Sequence, residues 1–450
     1  MKYLIVDTGL SEAIAIRLAN EGEEVYYYTV WQRAHPEQAD LLYGKGILED
    51  FGVKRIDNWE PYIDKVDVIV FPDMGWGQTV DKLRKEGKTV WGTSSIGERL
   101  ENERMFAKDK NLYDYFPKSK IYSSIKEAIS DIKSEEFSRP VIKVNKVGDS
   151  SIKTYVAFGK DDAIDHLKGL IEKGVDDSTE LVITEYIEGV EVAIGLFVSP
   201  NGYVFPWNMN FEHKRLFPGE IGPMTGEMGT VIFNNNGYDD SDKLFQLMFG
   251  DKGRERWYSK YYGVNYIDIN AIVSYEDGKP YFLEYTARFG YPHILIMLPA
   301  IRTPLGKIFH DIPKGLMKKV DIDSDWLVGV AYNAKGYPFA CVLEESANSP
   351  VYLDKPDFIN KHIPAGIYKD EDGVYRIVPS HGRAIVSVGK HPKLEPAILQ
   401  AYKNLLNHIH IPDGYFRTDI GYRIYSDAIT LHSFGYMSSP RFLTVFDKTK

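Results

Sequence analysis

The sequence contains little cysteine. Cys341 is the single cysteine among 450 residues, which excludes an internal disulfide and any zinc site built from several thiolates. Such cysteine usage is typical of a reducing compartment, so we expect a cytoplasmic protein. Long apolar runs are also missing, because no stretch approaches the roughly 20 residues of a membrane-spanning helix. The opening MKYLIVDTGLSE has an acid at position 7 and does not resemble a signal peptide. We therefore expect no membrane association.

Positive charge is in deficit. The chain has 54 Lys and Arg against 64 Asp and Glu, a formal net charge of −10, which argues against a general binder of nucleic acid or anionic membranes. We expect small-molecule partners and a monomer or homodimer. With 450 residues, 44% of them hydrophobic and 26% charged, the chain is too long for one ordinary core and too apolar for disorder. The composition favours a folded multidomain enzyme.

The order of apolar segments predicts an α/β domain at the N terminus. The stretch KYLIVDTGLSEAIAIRLANEGEEVYYYTV has the pattern of strand, turn, helix and strand, and further strands are predicted at VDVIVFP and KTVWGT. These elements predict a doubly wound domain over residues 1–100. The turn DTGLSE lacks the GxGxxG fingerprint, so it supports dinucleotide binding only weakly. The alternative is a plain helix start capped by Thr8 or Ser11.

The rest of the chain predicts an α+β organisation. A compact module of strands and one helix suits a lid, long β segments follow it, and strands resume before a final helix. The predicted divisions are a linker helix at 101–120, a lid at 121–190, a core with a metal and phosphate site at 191–325, a C-terminal domain at 326–435 and a tail at 436–450.

The stretch YFLEYTARFGYPH, residues 281–293, places an acid and a base inside an apolar run that predicts a strand. Because side chains on a strand alternate between faces, Phe282, Glu284, Thr286 and Arg288 are predicted to share one face. Burying a carboxylate and a guanidinium is costly unless each has a partner. One interpretation is an ion pair at a sheet edge, which contributes little. The other is that the acid binds a metal and the base an anion.

The preceding strand supports the metal interpretation. In YIDINAIVSYEDGKPYFLEYTARF two strands join at the turn EDGK, and Tyr266, Asp268 and Asn270 share one face of the first strand. If the two polar faces coincide, Asp268 and Glu284 converge, and carboxylates from neighbouring strands are common Mg²⁺ ligands. Arg288 could then bind a phosphate through both arms of its guanidinium group.

Two further segments favour an anion. Lys143 lies in the strand segment PVIKVN and is followed by a polar loop that contains Gly148, Ser150, Ser151 and Lys153. Backbone N–H groups of such a loop can surround phosphates, whereas the alternative is a solvated lysine at a strand edge. The segment EHKRLFPGEIGPMTGEMGT has a basic triplet at 213–215 and glycines at 219, 222, 226 and 229. The glycines indicate close approach of the backbone to a ligand, while the alternative is a solvated basic face.

These segments occur in the order of a known family. The chain resembles the ATP-grasp ligases, and among them the phosphoribosylamine–glycine ligase family, whose core motifs are DHKR, GPNTGGMG and LEFN-x-RFGDPE. This sequence has EHKR, GPMTGEMG and LEYTARFGYP in the same order, together with VIKVN, ITEYIEGVEV, GRAIVSV and YFRTDIGYR, so the resemblance spans residues 1 to about 425. It implies an ATP-grasp fold with an N-terminal doubly wound (pre-ATP-grasp) domain, a mobile lid and a β-rich C-terminal domain.

The resemblance also implies roles for individual residues. ATP would be contacted at its phosphates, adenine and ribose by Arg104, Lys143, Ser150, Ser151, Lys153, Glu185, Tyr186, Ile187 and Glu191. The metal, Mg²⁺ (or Mn²⁺), would be bound by Glu284, Asp268, Asn270 and Thr286. The catalytic residues would be Arg288, which clamps the transferred phosphoryl group, with Arg215 and Lys214. The amino acid and the amine would be bound by Gly9, Ser11, Thr225, Gly226, Glu227, Tyr291, Pro292 and His293.

The sequence departs from the family pattern at several positions. Thr286 replaces an asparagine that would bind metal, and Met224 replaces the asparagine of GPNTGG. Tyr291 and His293 replace the two acids of RFGDPE. At the N terminus GLSEAI replaces GGREHA, which removes an arginine and a histidine that would help to hold a phosphoribosyl group. These differences leave the ATP chemistry in place and predict a changed amine substrate.

The resemblance implies an ADP-forming carboxylate–amine ligase. ATP would phosphorylate a carboxylate to an acyl phosphate, and an amine would attack it to give an amide, as in the step of purine biosynthesis that joins glycine to phosphoribosylamine. Two alternatives stay open, because fold alone does not determine function. One is a related ligase whose amine is different, such as a modified nucleotide or nucleobase. The other is a non-catalytic ATP-grasp relic that binds nucleotide.

Overall fold

The computed structural model describes most of the chain. The described residues are 1–30, 42–103, 106, 114–134, 137–144, 154–235, 242–250, 258, 263–338, 348–379, 382–438 and 442–446. Four predicted ATP-binding residues lie outside these ranges: Arg104, Ser150, Ser151 and Lys153.

A parallel sheet flanked by helices forms the N-terminal domain. Its strands are β1 Lys2–Asp7, β2 Glu24–Thr29, β3 Lys54–Arg55, β4 Val68–Val70 and β5 Val90–Trp91, in the order β3-β2-β1-β4-β5. Its helices are α1 Glu12–Asn20, α2 Ile47–Asp50, α3 Gly77–Lys85 and α4 Ser95–Asn102, with a 3₁₀ turn at Glu60–Tyr62. Every pairing is parallel, so the carboxyl ends of β1 and β4 meet at one edge, where α/β sheets bind ligands. The predicted doubly wound domain is confirmed.

A four-stranded antiparallel sheet with two helices forms the predicted lid. Its strands are β6 Ser119–Tyr122, β7 Pro140–Val144, β8 Thr154–Val156 and β9 Leu181–Glu185, in the order β6-β9-β7-β8. The helices α5 Ile125–Lys133 and α6 Lys160–Glu172 contact each other and the sheet. The apolar side chains between these elements form a cluster separate from the main core. The module therefore has its own small core, as expected of a lid that moves as a unit.

The central part of the chain is mostly antiparallel. Its strands are β10 Gly189–Ser199, β11 Gly202–Glu212, β12 Arg215–Phe217, β13 Ile221–Met224, β14 Gly229–Asn234, β15 Tyr266–Ser274 and β16 Pro280–Thr286. Its helices are α7 Lys243–Phe249, α8 His293–Met297 and α9 Leu305–Asp311, with a 3₁₀ turn at Leu298–Ala300. β12 and β13 form a separate hairpin, whereas the other strands join the main sheet.

The C-terminal part extends the same sheet. Its strands are β17 Trp326–Asn333, β18 Pro350–Leu353, β19 His362–Pro364, β20 Ile367–Lys369, β21 Tyr375–Ile377, β22 Arg383–His391 and β23 Ile409–His410. The helices are α10 Leu394–His408 and α11 Ile424–Ser433, with a 3₁₀ turn at Phe442–Phe446. The main sheet has eight strands in the order β16-β15-β10-β11-β14-β17-β22-β19, and β20-β21-β18-β23 form a smaller sheet. The predicted core and the predicted C-terminal domain thus share one sheet.

The predicted tail packs against this sheet. Phe442 is buried and its ring centroid lies 5.5 Å from that of Trp326 on β17. None of the helices in the described ranges has the length and apolar composition of a membrane span.

Candidate active site

The hairpin of β15 and β16 places its polar residues opposite each other. Asp268 pairs with Thr286, and Asn270 pairs with Glu284. Paired residues of antiparallel strands project to the same face, so the two polar faces coincide as predicted. The acid and its neighbours therefore form one polar surface on the main sheet.

A β-bulge in β16 changes the face of Phe282. The register shifts between Asn270 and Ala271, which pair with Glu284 and Phe282, so Leu283 is an extra residue. The ring centroid of Phe282 lies 5.0 Å from that of Tyr285, on the apolar face. The prediction that Phe282 begins the charged stripe is wrong, because the bulge interrupts the alternation.

The strand itself is also shorter than predicted. β16 ends at Thr286 and α8 begins at His293, so Arg288 lies in the connection between them. The prediction of a strand through residue 293 is therefore wrong at its carboxyl end. The early end lets the backbone turn, and Arg288 reaches residues of the N-terminal domain instead of continuing the stripe of Glu284.

Strand β11 contributes a second set of polar residues to this face. Asn208, Asn210 and Glu212 alternate along the strand, and Asn210 and Asn270 both pair with Ala193 on β10 between them. The Asn210 amide nitrogen donates to Asp268 Oδ2 at 2.9 Å. Sequence reasoning missed these residues, although the period-two spacing of NMNFE is a readable signal of one polar strand face.

Lys214 lies at the centre of three carboxylates. Its Nζ is 3.0 Å from Glu212 Oε2, 3.0 Å from Glu284 Oε1 and 3.2 Å from Glu191 Oε1. Burial alone would lower the pKa of Lys214, but Glu212, Glu284 and Glu191 together hold this pKa well above its usual value. The structure thus brings together the predicted catalytic residue Lys214, the predicted metal ligand Glu284 and the predicted ribose ligand Glu191. Glu212, the first residue of EHKR, also contacts this lysine. The cluster carries more negative than positive charge and can accept a further cation.

Several buried oxygen atoms beside Lys214 accept no hydrogen bond from the part of the chain that the structure describes. They are Asp268 Oδ1, Asn270 Oδ1, Asn210 Oδ1 and Glu227 Oε1. Burial, together with Glu212 and Glu284, raises the pKa of Asp268 to about 8, while Asn210 and Lys214 oppose this rise. Buried acceptors without donors are costly, so the surface is suited to a ligand that supplies positive charge or N–H and O–H groups.

The chemistry of these oxygens fits a divalent cation. Mg²⁺ prefers carboxylate and amide oxygens and keeps several waters or phosphate oxygens in its coordination shell. Within the described ranges, no three His, Cys, Asp or Glu side chains are already grouped around a common point as ligands. A metal ion that is coordinated partly by a nucleotide therefore fits these oxygens better than one that is coordinated by protein ligands alone.

The loop GPMTGEMG lies directly behind Lys214. The Thr225 hydroxyl donates to Lys214 O at 2.8 Å and accepts from Glu227 N at 2.9 Å. A Cβ on Gly226 would lie 3.6 Å from the Tyr337 hydroxyl, so the loop contacts the C-terminal part of the chain. These contacts fix the loop next to the polar face.

Glu227 stands where the family motif has a glycine. Its φ is +116°, a region that non-glycine residues rarely adopt. The residue is 4% exposed, and burial, aided by Glu212, raises its pKa well above the usual value. Arg383 donates to the backbone oxygen of Glu227. The chain therefore holds an additional carboxylate at a strained position beside the cluster around Lys214.

Arg288 joins the core to the N-terminal domain. Its Nε is 3.0 Å from Asp73 Oδ1, its Nη2 is 2.9 Å from Glu101 Oε1, and its Nη1 donates to Phe289 O at 2.8 Å. Burial would lower the pKa of Arg288, but Glu101 and Asp73 raise it. Sequence reasoning missed both acids, although Asp73 follows an apolar strand at the sheet edge where ligands bind. A clamp on a transferred phosphoryl group stays a prediction for Arg288.

The first βα turn contacts the segment after β16. The Ser11 hydroxyl and the Tyr291 hydroxyl form a hydrogen bond, and the Thr8 hydroxyl donates to Asp73 Oδ2 at 2.5 Å. Gly9 has φ +90°, and a Cβ there would meet the Tyr43 ring at 2.6 Å, so the turn requires a glycine. Two predicted substrate residues that are 280 positions apart in sequence, Ser11 and Tyr291, are thus in contact, and Arg288 lies next to Tyr291.

His293 lies beneath this region. It is 1% exposed, its Nε2 is 3.0 Å from Asn208 Oδ1, and burial lowers its pKa to about 3. The neutral imidazole is enclosed with Tyr266 in the core, and Pro292 precedes it at the start of α8. The substrate roles of Pro292 and His293 stay predictions, but His293 is buried and holds Asn208 of the polar strand face in place.

The predicted ATP-binding residues that the structure describes lie on the lid and on the adjoining part of the core. Lys143 is 8% exposed, and its Nζ donates across to Leu283 O, the carbonyl of the bulge, at 3.3 Å. The Glu185 carboxylate accepts from Ser138 N at 2.9 Å and from Arg139 N at 2.8 Å, so it ties neighbouring strand ends together. The Arg139 guanidinium group lies 3.7 Å from the centroid of the Tyr186 ring. Lys143 thus connects the lid to the strand that carries Glu284.

Two other predicted residues lie in the core and at its junction with the lid. Arg215 Nη1 donates to Gly222 O at 2.7 Å across the β12–β13 hairpin, and Ile187 lies between β9 and β10 and is half-buried. Their contacts to phosphate and adenine stay predictions.

Comparison with known proteins identifies the type of domain to which this arrangement belongs. Residues 103–294 match the model of the phosphoribosylglycinamide synthetase, ATP-grasp (A) domain. This part of the chain is an ATP-grasp domain. It contains the lid, Lys214, Glu227 and both strands of the β15–β16 hairpin, so the predicted family resemblance and the predicted fold are confirmed.

Sequence relatives match most of the length of the chain. The phosphoribosylamine–glycine ligase of Methanobrevibacter smithii is 26% identical over 356 residues, which cover 75% of this chain and 78% of that protein. The ligase of the same name from Thermococcus gammatolerans is 24% identical and covers 94% of this chain and 95% of its own length. The crystal structure of the phosphoribosylamine–glycine ligase of Thermotoga maritima has a TM-score of 0.69 at 22% identity, covering 93% of this chain and 100% of that chain.

Proposed function

We propose that this protein is an ADP-forming carboxylate–amine ligase of the phosphoribosylamine–glycine ligase type, which joins an amino acid such as glycine to an amine. The observation that carries the proposal is the convergence of Glu191, Glu212 and Glu284 on Lys214. Beside them lie buried oxygens of Asp268 and Asn270 that accept no hydrogen bond from any described residue. An acidic, partly desolvated surface is suited to a metal nucleotide. The names of the relatives support the same chemistry.

The reaction has two steps whose atoms balance. A carboxylate oxygen of the amino acid attacks the γ-phosphorus of ATP, the bond to the β-phosphate oxygen breaks, and ADP leaves. The amine nitrogen then attacks the carbonyl carbon of the acyl phosphate, phosphate leaves with the former carboxylate oxygen, and the nitrogen loses a proton. Both steps need positioning and charge neutralisation more than a protein nucleophile.

The metal-binding residues would be Glu284 and Asp268, with Asn270 and Thr286 opposite them. Bound Mg²⁺ (or Mn²⁺) would neutralise phosphate charge and orient the γ-phosphoryl group. Lys214 already compensates the carboxylates in this structure, and its ammonium group stabilises additional negative charge from the nucleotide.

The chain's other residues would position the reactants. Lys143 reaches from the lid to the carbonyl of Leu283, so lid closure over this surface excludes water from the acyl phosphate. Arg288 is fixed by Asp73 and Glu101 at the boundary between the core and the N-terminal domain. The amine would therefore approach from the carboxyl ends of β1 and β4.

The setting of the enzyme is part of the proposal. We infer a cytoplasmic enzyme that acts on small molecules as a monomer or homodimer, supported by the single cysteine and the net charge of −10.

The test is a substrate screen that reads ADP release and product mass. Mg-ATP is supplied with glycine and other amino acids against phosphoribosylamine, non-phosphorylated amines and nucleoside-like amines. A ligase releases ADP over many turnovers, together with an amide product, only when both an amino acid and an amine are present. The absence of ADP release with every pair would instead support a nucleotide-binding relic.

A variant pair ties the activity to the cluster. Glu284→Gln should lower turnover about 100-fold or more, because several kcal/mol of charge stabilisation depend on the metal. Glu276→Gln is the matched control, because Glu276 is exposed in the turn of the same hairpin. Wild-type turnover of Glu284→Gln at low Mg²⁺ would refute the assignment.

A further inference from the structure

The carboxylate of Asp7 occupies the anion-binding position of the first βα turn. It accepts from Thr8 N at 2.8 Å, Leu10 N at 3.1 Å and Ser11 N at 2.8 Å, and also from the Tyr27 hydroxyl at 2.6 Å. Asp7 itself is 0% exposed. Three N–H groups of this turn, those of Thr8, Leu10 and Ser11, are thus directed at a side chain of the same chain.

Such N–H groups ordinarily favour an external anion. The first backbone N–H groups of a helix have no partner within the helix, and together with the helix dipole they form a site for phosphate. Here α1 begins at Glu12 with Ser11 as N-cap, and the Ser11 side chain makes no capping hydrogen bond. The carboxylate of Asp7 instead accepts from backbone N–H groups of the turn that leads directly into this helix. A phosphate could reach these donors only by displacing a buried side chain.

The surrounding charges oppose a phosphate as well. Glu12 is buried next to Asp7, and burial followed by the charge of Asp7 raises the pKa of Glu12 to about 8. Thr8 donates to Asp73, and the nearby cation Arg288 is already paired with Asp73 and Glu101. A dianionic phosphate would therefore be repelled by several carboxylates, and the guanidinium group of Arg288 is already paired with two of them.

We propose that Asp7 is a specificity-determining residue, whose carboxylate takes the place of a substrate phosphate and so restricts the amine to molecules without a phosphate group at this turn. Because it concerns the choice of an amine substrate, this inference rests on the proposed ligase function. The accepted amine presents hydroxyl or amino groups to Thr8 and Asp73, because these side chains offer acceptors at the edge of the sheet.

The test compares ribose 5-phosphate with ribose by titration calorimetry, with the nucleotide site saturated by Mg-ADP. For the wild type we expect the two affinities to agree within about three-fold, since the phosphate gains no N–H donors. In Asp7→Ser the three N–H groups become available, and we expect ribose 5-phosphate to bind about ten-fold or more tightly than ribose. Tyr27→Phe is the matched control, which loses one hydrogen bond to Asp7 and keeps the wild-type ratio.

Each result decides the proposal. A wild-type protein that binds ribose 5-phosphate ten-fold more tightly than ribose overturns it, as does a failure of Asp7→Ser to gain any preference for the phosphate. If Asp7→Ser does not fold, Asp7→Asn removes the charge at nearly constant shape, and a gain in the same direction is required. Because no turnover is involved, these results are independent of the substrate screen. Absence of ADP release would overturn the ligase proposal while leaving the assignment of Asp7 to be judged by binding alone.

Discussion

Replacement of Lys214 by methionine should destabilise the protein and make its stability depend on Mg²⁺. Methionine keeps most of the apolar stem and removes the ammonium group that lies within 3.0 to 3.2 Å of three carboxylates. Glu191, Glu212 and Glu284 would then repel one another without a cation between them. The structure thus predicts a defect of charge rather than of packing.

The magnitude follows from the exposure of the cluster. Removing one member of a fully buried ion pair costs about 3 to 5 kcal/mol, whereas an exposed pair contributes about 0 to 1 kcal/mol. The Lys214 side chain is 18% exposed and its three partners are 15 to 39% exposed, so solvent screens part of the interaction. We expect a loss of about 2 kcal/mol, or roughly 4 to 8 °C in Tm for a cooperative unit of 150 to 250 residues.

The assay is thermal unfolding with and without Mg²⁺. A divalent cation that binds the folded variant should restore stability, by about 2.7 kcal/mol at 100 times its Kd. Lys54→Met is the control, because it removes a 2.6 Å ion pair to Glu24 whose partners are 56% and 35% exposed, and it should change stability by less than about 1 kcal/mol. A Lys214→Met protein with wild-type Tm and no greater response to Mg²⁺ than the wild type would refute the reasoning.

Three further predictions concern single side chains. Glu12 has a folded-state pKa of about 8 against an ordinary value of 4.5, so the folded state retains a proton that the unfolded state has lost between these values, and stability should fall as pH rises through this window. Glu12→Gln should reduce that fall, as measured by urea unfolding at pH 5.5 and pH 8, while the raised pKa of Asp268 preserves part of it. Lys143→Ala should raise the KM for ATP because the lysine bridges lid and core, whereas Lys120→Ala, which breaks an exposed ion pair on the same lid sheet, should leave it unchanged; equal KM values would contradict the lid assignment. Glu227→Gly should raise the free energy of unfolding by about 1 kcal/mol or more, because it relieves the positive φ and removes a buried carboxylate. Glu227→Ala keeps the strain and should gain less, and the reverse order would refute the strain argument.

Local patterns predicted the parts of this fold that depend on local rules. The alternation of side chains predicted one polar face on each strand of the hairpin that turns at EDGK. The structure shows that the two faces coincide, with Asp268 opposite Thr286 and Asn270 opposite Glu284. The strand and helix order of the N-terminal domain follows from the same kind of pattern. The bulge at Leu283 could not be predicted in this way, since it is a property of the pairing of two strands and not of either sequence alone.

The partners of charged residues were harder to predict from the sequence than the strands and turns. Arg288 contacts Glu101 across 187 positions of sequence, and no periodicity relates the two. Asp7 was noticed only as an acid unsuited to a signal peptide, because nothing in DTGLSE indicates that the carboxylate turns back onto its own N–H groups. Comparison with family motifs gave the order of the site, but Glu227 departs from that pattern, and only its φ of +116° reveals the cost of the change. The sequence patterns thus predict the order of strands and motifs, whereas the charge pairs are visible only in the folded structure.

The shared eight-stranded sheet has a consequence for synthesis of the chain on the ribosome. β14, whose six residues are all buried in the finished fold, pairs on one side with β11 and on the other with β17, which in turn pairs with β22. Strand β22 ends at residue 391, long after the β15–β16 hairpin has been synthesised. Until that residue has left the exit tunnel, the nascent chain presents an apolar strand edge with which other chains can pair. The active-site residues are therefore translated well before the strands that protect their sheet, and the nascent protein is a natural client for chaperones during that interval.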